Sequence, residues 1–324
     1  MNEERSVKAL LWAVVVVWGL NVVIVKFLVG YLPPVTLGAI RIGIGTLVLL
    51  ATLFFKNGFS RISLKSWLYI AGAGLSGVAL HQMTLAMGLK SANASTGSLI
   101  LGLNPLVTGV LAYFLFREPI GWQRIVGIVM GFAGVFVVVM GDSLMQGATN
   151  LFHLGKGEWI VIAAMLFYVI AGLFIKKAAE TVPVLVVTSY MNLVGTIFLA
   201  IGSVFESKAV GGILWPTDWF VWGALLFSSV FATAVCGIWF NNGIQKIGAG
   251  PTAMYLNGMP VASLVFAILL LGERFIWLHA VGFGLVFAGI WLGTIGRRTP
   301  RLNASVQTVT ALQARNSQHV SDSI

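Results

Sequence analysis

Apolar residues arrive along this chain in long unbroken runs, separated by short stretches that carry glycine, proline and charge. Runs close to the roughly 20 residues that a membrane-crossing helix requires fall at about 8–28, 34–55, 67–88, 94–116, 121–141, 158–177, 184–204, 218–241, 250–271 and 275–296. The pattern predicts an all-α integral membrane protein with ten transmembrane helices. The first run is too long for the core of a cleaved signal peptide, and no small-residue cleavage site follows it. Residues 1–7 are expected to form a short cytoplasmic N-terminus and residues 142–157 an external linker. Past Gly296 the chain turns to Ser, Gln, Asn and Thr. That composition predicts a disordered cytoplasmic tail over 297–324.

Composition sharpens the class. Apolar residues make up 58% of the 324 residues and charged residues 9%, against roughly 25% charged in a soluble domain. So few charges cannot wet a soluble surface, which excludes an ordinary soluble enzyme and a disordered chain. Cys236 is the only cysteine, so no intrachain disulfide forms. The formal charge of +10 would raise nucleic acid in a soluble protein. Here it reflects basic cytoplasmic loops. Most Lys and Arg residues, among them Lys56, Arg61, Lys65, Arg117, Arg297 and Arg298, fall on the side of the N-terminus. Both termini are therefore placed in the cytoplasm of a multi-pass protein of the cell membrane.

The chain also repeats itself. Under a shift of 155, Trp67 falls on Trp222, Gly88 on Gly243, Pro105 on Pro260, Glu118 on Glu273, Trp122 on Trp277, Gly127 on Gly282 and Gly134 on Gly289. Nearer the N-terminus a shift of 150 serves better, pairing Lys26 with Lys176, Pro33 with Pro183 and Gly45-Thr46 with Gly195-Thr196. The repeats are expected at 8–141 and 158–296, with five helices each. An odd number makes the second copy enter the membrane from the opposite side, giving two inverted repeats around a central cavity. Inverted repeats recur in secondary transporters, where exchanging the conformations of two similar halves moves access from one face to the other.

The segment Asn104-Pro105-Leu106-Val107, with Glu118, Trp122, Gly127 and Gly134-Val135, resembles the EamA repeat of the drug/metabolite transporter superfamily. A second copy runs through Pro260, Glu273, Trp277, Gly282 and Gly289, and Trp18-Gly19-Leu20-Asn21 is similar to the start of the repeat. The resemblance covers about residues 8–296. It implies a ten-helix bundle around a central cavity that often exports amino acids or related metabolites. The four-helix multidrug members use a glutamate in their first helix, and no acidic residue stands in that run here. Their cation site is therefore not carried over.

Among residues that could carry chemistry, no Asp or Glu lies deep within a predicted span. Glu118 and Glu273 sit at turns, where each is expected to cap the following helix or to pair with Arg124 or Arg274. Buried ionisable groups inside a membrane default to function, and Lys26, Arg41 and His81 are the ones present. Lys26 is close enough to a helix end to snorkel. Arg41 lies about two turns into its helix, where its charge would suit a substrate carboxylate. His81 serves equally as a packing residue or as a protonatable group. Pro105 and Pro260 are expected to kink helices at mid-membrane and to free the carbonyls of Leu101 and Leu256. Asn104 and Asn257 stand beside them. Trp18, Asn21, Ser98, Tyr168 and Asn192 complete the cavity candidates. Gly127–Gly131 and Gly289–Gly293 are GxxxG pairs that suit helix packing or a dimer contact. The sequence requires no homodimer.

Other motifs dissolve in context. Gly72-Ala73-Gly74-Leu75-Ser76-Gly77 spells GxGxxG inside a membrane span, without the strand or acidic partner of a nucleotide site. The four histidines are scattered, so no metal, cofactor or catalytic constellation is expected. A small-molecule substrate and the lipid bilayer are the expected partners. Proton-coupled and uncoupled transport both fit. An exporter of small polar metabolites is the leading expectation, followed by an uptake permease, then a membrane enzyme or a sensory protein.

Overall fold

A computed structural model describes residues 2–56, 62–104, 106–108, 110–111, 121–145, 155–247, 252 and 255–295. Pro105, Glu118 and the segment 297–324 lie outside the described residues. Among the described residues every regular element is helical: α1 (Asn2–Leu28), α2 (Pro34–Lys56), α3 (Leu64–Ala73), α4 (His81–Leu89), α5 (Ala94–Gly102), α6 (Trp122–Met145), α7 (Lys156–Ala178), α8 (Val184–Ala209), α9 (Trp219–Phe227), α10 (Cys236–Ile247), α11 (Met259–Leu271) and α12 (Trp277–Ile295). Two π-helical stretches, Gly74–Leu80 and Ser228–Val235, join α3 to α4 and α9 to α10. Six continuous or composite helices are long and apolar enough to cross a membrane, and Ile125–Gly141, Leu256–Leu271 and Trp277–Leu292 are shorter apolar helices. The expected span at 94–116 is described only in part, up to residue 111.

Local chemistry sets the ends of these helices. Pro34 opens α2, where its missing N–H costs nothing. Ser63 accepts from the Ser66 N–H at 3.2 Å ahead of α3, and Asp218 accepts from the Phe220 N–H at 2.8 Å ahead of α9. Gly272 closes α11 at φ 67°, a left-handed conformation that glycine adopts without a Cβ clash. Trp122, Trp219 and Trp277 are each the first residue of a helix and largely exposed, as suits aromatic anchors at a membrane interface.

The two halves pack reciprocally. Thr46 and Thr196 occupy equivalent positions, and their hydroxyls share a hydrogen bond of 2.9 Å. Residues exchanged by a two-fold rotation touch one another only at the axis, so the axis runs between these threonines. It also passes through the crossing of α6 and α12. A methyl group on Gly134 would lie 2.5 Å from the carbonyl oxygen of Gly282, and one on Gly289 would lie 2.5 Å from that of Gly127. The contact of Gly127 with Gly289 and that of Gly134 with Gly282 are therefore images of each other, and they make the two helices antiparallel. Helices α2 and α8 are antiparallel as well, with Gly38 facing Leu199 and Gly202 facing Val35. The axis thus lies across the helices, the geometry of an inverted repeat. Of the glycines read as GxxxG pairs, Gly127, Gly131 and Gly289 pack within the chain. Replacing Thr46 and Thr196 with cysteine in a Cys236→Ser background is expected to give an intrachain disulfide under mild oxidant. Loss of both free thiols at monomer mass checks this, and persistence of both thiols would move the axis elsewhere.

The π-helical stretches obey the same symmetry. The His81 N–H donates to the Ser76 carbonyl and the Cys236 N–H to that of Phe231, both five residues back and 155 apart. Each stretch receives a glycine from the other half. Gly45 lies on Ser229 and Thr233, and Gly195 lies on Gly74 and Val78. The GxGxxG segment therefore serves close helix packing: Gly74 approaches the Met191 carbonyl and Gly77 approaches Ala171.

Candidate functional site

Contacts define one end of the bundle, where the turns after α1, α4, α8 and α11 meet. The Lys26 ammonium donates to the Ala92 carbonyl at 2.7 Å, and Glu206 and Glu273 reach neighbouring helix starts. Arg41 lies seven residues along α2 from Pro34 at that end, about 10 Å deep at 1.5 Å per residue.

Arg41 is only 3% exposed. One terminal nitrogen donates to the Gln82 side-chain carbonyl, and the other donates to the Ser228 hydroxyl at 3.3 Å. Ser228 in turn donates to Asn21 Oδ1. The result is a chain from Gln82 through Arg41 and Ser228 to Asn21. It spans α4, α2, the second π-helical stretch and α1, and so crosses from one repeat to the other. The Nε of Arg41 is buried without a partner. Among the described residues no carboxylate lies within ion-pair distance of the guanidinium.

His81 precedes Gln82 and is also buried. Its Nδ1 donates to the Ala164 carbonyl at 2.8 Å, and its ring sits 5.1 Å from that of Tyr168. Tyr168 lies on the stripe of α7 that faces the bundle, four residues from Ala164 and three from Ala171, both fully buried. Yet Tyr168 keeps 39% of its surface accessible. One turn further, a methyl group on Gly172 would meet nothing within 4 Å. Access on a protein-facing stripe means that Tyr168 and Gly172 border an open space inside the bundle. Trp18 is the Tyr168 equivalent in the first half. Its indole donates to the Ala232 carbonyl at 2.7 Å, and its ring packs 5.2 Å from Phe240. Each of these aromatics thus leans on the π-bearing helix of the opposite half.

The other expected residues are placed differently. Ser98 is buried and donates to the Ser95 carbonyl at 2.8 Å, and Asn192 donates to the Thr188 carbonyl at 2.8 Å. Both are satisfied within their own helices and do not join the Arg41 chain. Asn104 Oδ1 is buried without a partner, and Asn257 sits half-buried in a short 3-10 turn, Leu256–Gly258. Pro260 follows that turn in the first turn of α11 and packs on Gly102. The 3-10 turn stands directly before it, and the Leu256 carbonyl is not freed but taken by the Met259 N–H. Helix α5 stops at the matching place, Gly102. Glu273 is a cap, but not of the helix that follows it. Its carboxylate accepts from the Ala94 N–H at 2.7 Å and the Ser95 N–H at 3.3 Å, at the start of α5 in the other half.

Two members of the central chain, Gln82 and Ser228, escaped the sequence reading. Gln82 was findable as an uncharged polar residue beside His81 in an apolar run. Ser228 gave no comparable signal, because a single serine is cheap to bury on its own helix. Among the described residues no group of three or more His, Cys, Asp or Glu could hold a metal.

Fold and site together define a multi-pass membrane protein of two related halves with a charged residue enclosed between them. The model of the EamA-like transporter family matches the chain twice, over residues 7–140 and 155–295. The chain belongs to that family and is a membrane transporter of the drug/metabolite transporter superfamily. It is 28% identical over 284 residues to the uncharacterized transporter YyaM of Bacillus subtilis, covering 87% of this chain and 92% of that one. It is also 28% identical over 278 residues to a WAT1-related chloroplastic protein of Arabidopsis thaliana, covering 85% of this chain and 66% of that one. A protein crystal structure superposes with a TM-score of 0.62 at 19% identity, covering 91% of this chain and 99% of that chain. That likeness concerns the fold alone.

Proposed function

We propose that this protein is a secondary transporter that exports amino acids or related small polar metabolites across the cytoplasmic membrane by alternating access. Its repeats, residues 8–141 and 158–296, form a ten-helix bundle with both termini in the cytoplasm, and the end that carries Lys26, Glu206 and Glu273 faces outward. One observation carries this reading. The Gln82–Arg41–Ser228–Asn21 chain is enclosed where the two halves meet, so rocking one half against the other would expose it first to one side and then to the other. Tyr168 and Trp18 would supply aromatic walls, and Asn104, Asn257 and Pro260 would line the path near the end of α5 and the 3-10 turn.

Proteoliposomes preloaded with a mixture of amino acids and small organic acids provide the test. Uptake of at least one labelled member is expected to saturate and to be accelerated by the same compound inside. In cells, expression is expected to raise that compound in the medium. Folded protein with no saturable flux for any member of the panel would defeat the proposal.

A further inference from the structure

We propose that the Nε edge of Arg41 is the binding site for a carboxylate, and hence that the transported molecules are small monocarboxylates, free or as part of an amino acid. This rests on the transporter reading and narrows it. The argument begins from charge. A guanidinium stays protonated at any accessible pH and carries five N–H donors. Arg41 is 3% exposed, and the two hydrogen bonds recorded for it end on the neutral oxygens of Gln82 and Ser228. Neutral partners orient the group but leave its charge uncompensated. A buried cation in a membrane span is costly and finds an opposite charge or water. Among the described residues no carboxylate fills that place. The site is thus electrically incomplete without a ligand.

Donor geometry points to the ligand. Gln82 and Ser228 engage one terminal nitrogen each, and Nε is buried with no partner. In a guanidinium, Nε–H and the adjacent terminal N–H are parallel and match the two oxygens of a carboxylate. Among the described residues Arg41 is the one cation of the cluster, so a single carboxylate balances the guanidinium and a phosphate dianion would be in excess; the ammonium of an amino acid would lie outside the cluster, against other acceptors. Ser228, held between Arg41 and Asn21, fixes the guanidinium plane from the second repeat. Rearrangement of the halves therefore changes the donor set that an anion meets. Tyr168, whose ring lies 5.1 Å from that of His81 beside Gln82, is the surface assigned to the body of the molecule.

Binding to detergent-purified protein tests this without relying on flux. The probes are near-isosteric pairs in which a neutral carboxamide replaces the carboxylate: L-phenylalanine and L-phenylalaninamide, L-leucine and L-leucinamide, L-threonine and L-threoninamide, benzoate and benzamide. At least one acid is expected to bind about tenfold or more tightly than its amide. Arg41→Gln is expected to abolish the preference, and Arg41→Lys to reduce it by about half while keeping it measurable, since an ammonium keeps the charge but lacks the planar fork. Ligand-free Arg41→Gln is expected to melt at or above the wild-type temperature, because a buried charge without a counter-charge is a stability cost. A merely structural arginine would instead lower the melting temperature. The proposal is overturned if wild-type protein prefers no acid in any pair, if Arg41→Gln keeps the preference, or if that variant melts well below wild type. Saturable flux of amines or neutral solutes, unaltered in Arg41→Gln, would overturn it while leaving the transporter standing. An acid preference in a protein without flux would do the reverse.

Discussion

Gly134→Val is expected to be among the most damaging single substitutions in the chain. At the crossing of α6 and α12 the obstacle is backbone. A methyl group at position 134 would lie 2.5 Å from the Gly282 carbonyl oxygen, and one at 282 would lie 2.6 Å from that of Gly134. A flexible side chain could yield to such an intrusion, but a carbonyl within a helix cannot. The helices would have to separate, and the loss would spread to the contact of Gly127 with Gly289. Overpacking costs about 1–3 kcal/mol, and an obstacle made of backbone puts this substitution at the top of that range. The expected result is a fall in melting temperature of the detergent-solubilised protein, together with lost monodispersity. Gly284→Val is the control, since its methyl would meet nothing within 4 Å. Equal melting temperatures for the two variants would show that the crossing is not the tight contact described.

The second large effect is expected at two carboxylates that tie helix starts together at one end of the bundle. Glu206, in the last turn of α8, accepts from the Val35 N–H at 3.1 Å, the Thr36 N–H at 2.7 Å and the Thr36 hydroxyl at 2.9 Å. Glu273 treats Ala94 and Ser95 the same way. Each places a negative charge on the otherwise unpaired N–H groups of a helix start. Each also reaches across from the second half to the first. Alanine at either position is expected to cost about 2 kcal/mol, and glutamine less. The double variant Glu206→Ala, Glu273→Ala should also loosen that end. A cysteine replacing Tyr168, in a Cys236→Ser background, is then expected to react several-fold faster with a membrane-impermeant maleimide than it does with both carboxylates intact. Unchanged labelling would mean that the caps stabilise helices without closing a passage.

Much of this was legible in the sequence. The apolar runs announced the helices, and the register of Gly127 and Gly134 with Gly282 and Gly289 announced the halves. What the sequence hid was partnership. The turn position of Glu273 suggested the next helix as its partner, because a carboxylate's nearest helix start in sequence is the default choice. The folded chain instead brings Ala94 to it from 179 residues away. The mid-run position of Pro260 suggested a freed Leu256 carbonyl, whereas the preceding 3-10 turn hands that carbonyl to the Met259 N–H. Nothing in Gly74–Leu80 or Ser228–Val235 spells a π-helix, since i+5 pairing is imposed by helices packed from the other half. Arg41 was legible because a cation in an apolar run is rare, but its neutral partners were not.

The reciprocal fit of Gly45 and Gly195 has a consequence for biosynthesis. A ribosome delivers the first half long before the surfaces it rests on exist. Trp18 finds its carbonyl partner 214 residues downstream, Arg41 finds Ser228 187 residues downstream, and Thr46 finds Thr196 150 residues downstream. Contacts of such long range close late and slowly. Until α8 and the second π-helical stretch have entered the bilayer, the nascent chain must hold a charged arginine and several notched helix faces against lipid. A fragment ending near residue 145 is therefore an unfinished object rather than a small domain, a natural client for membrane chaperones and quality-control proteases. Two such fragments made separately would find stability only in each other.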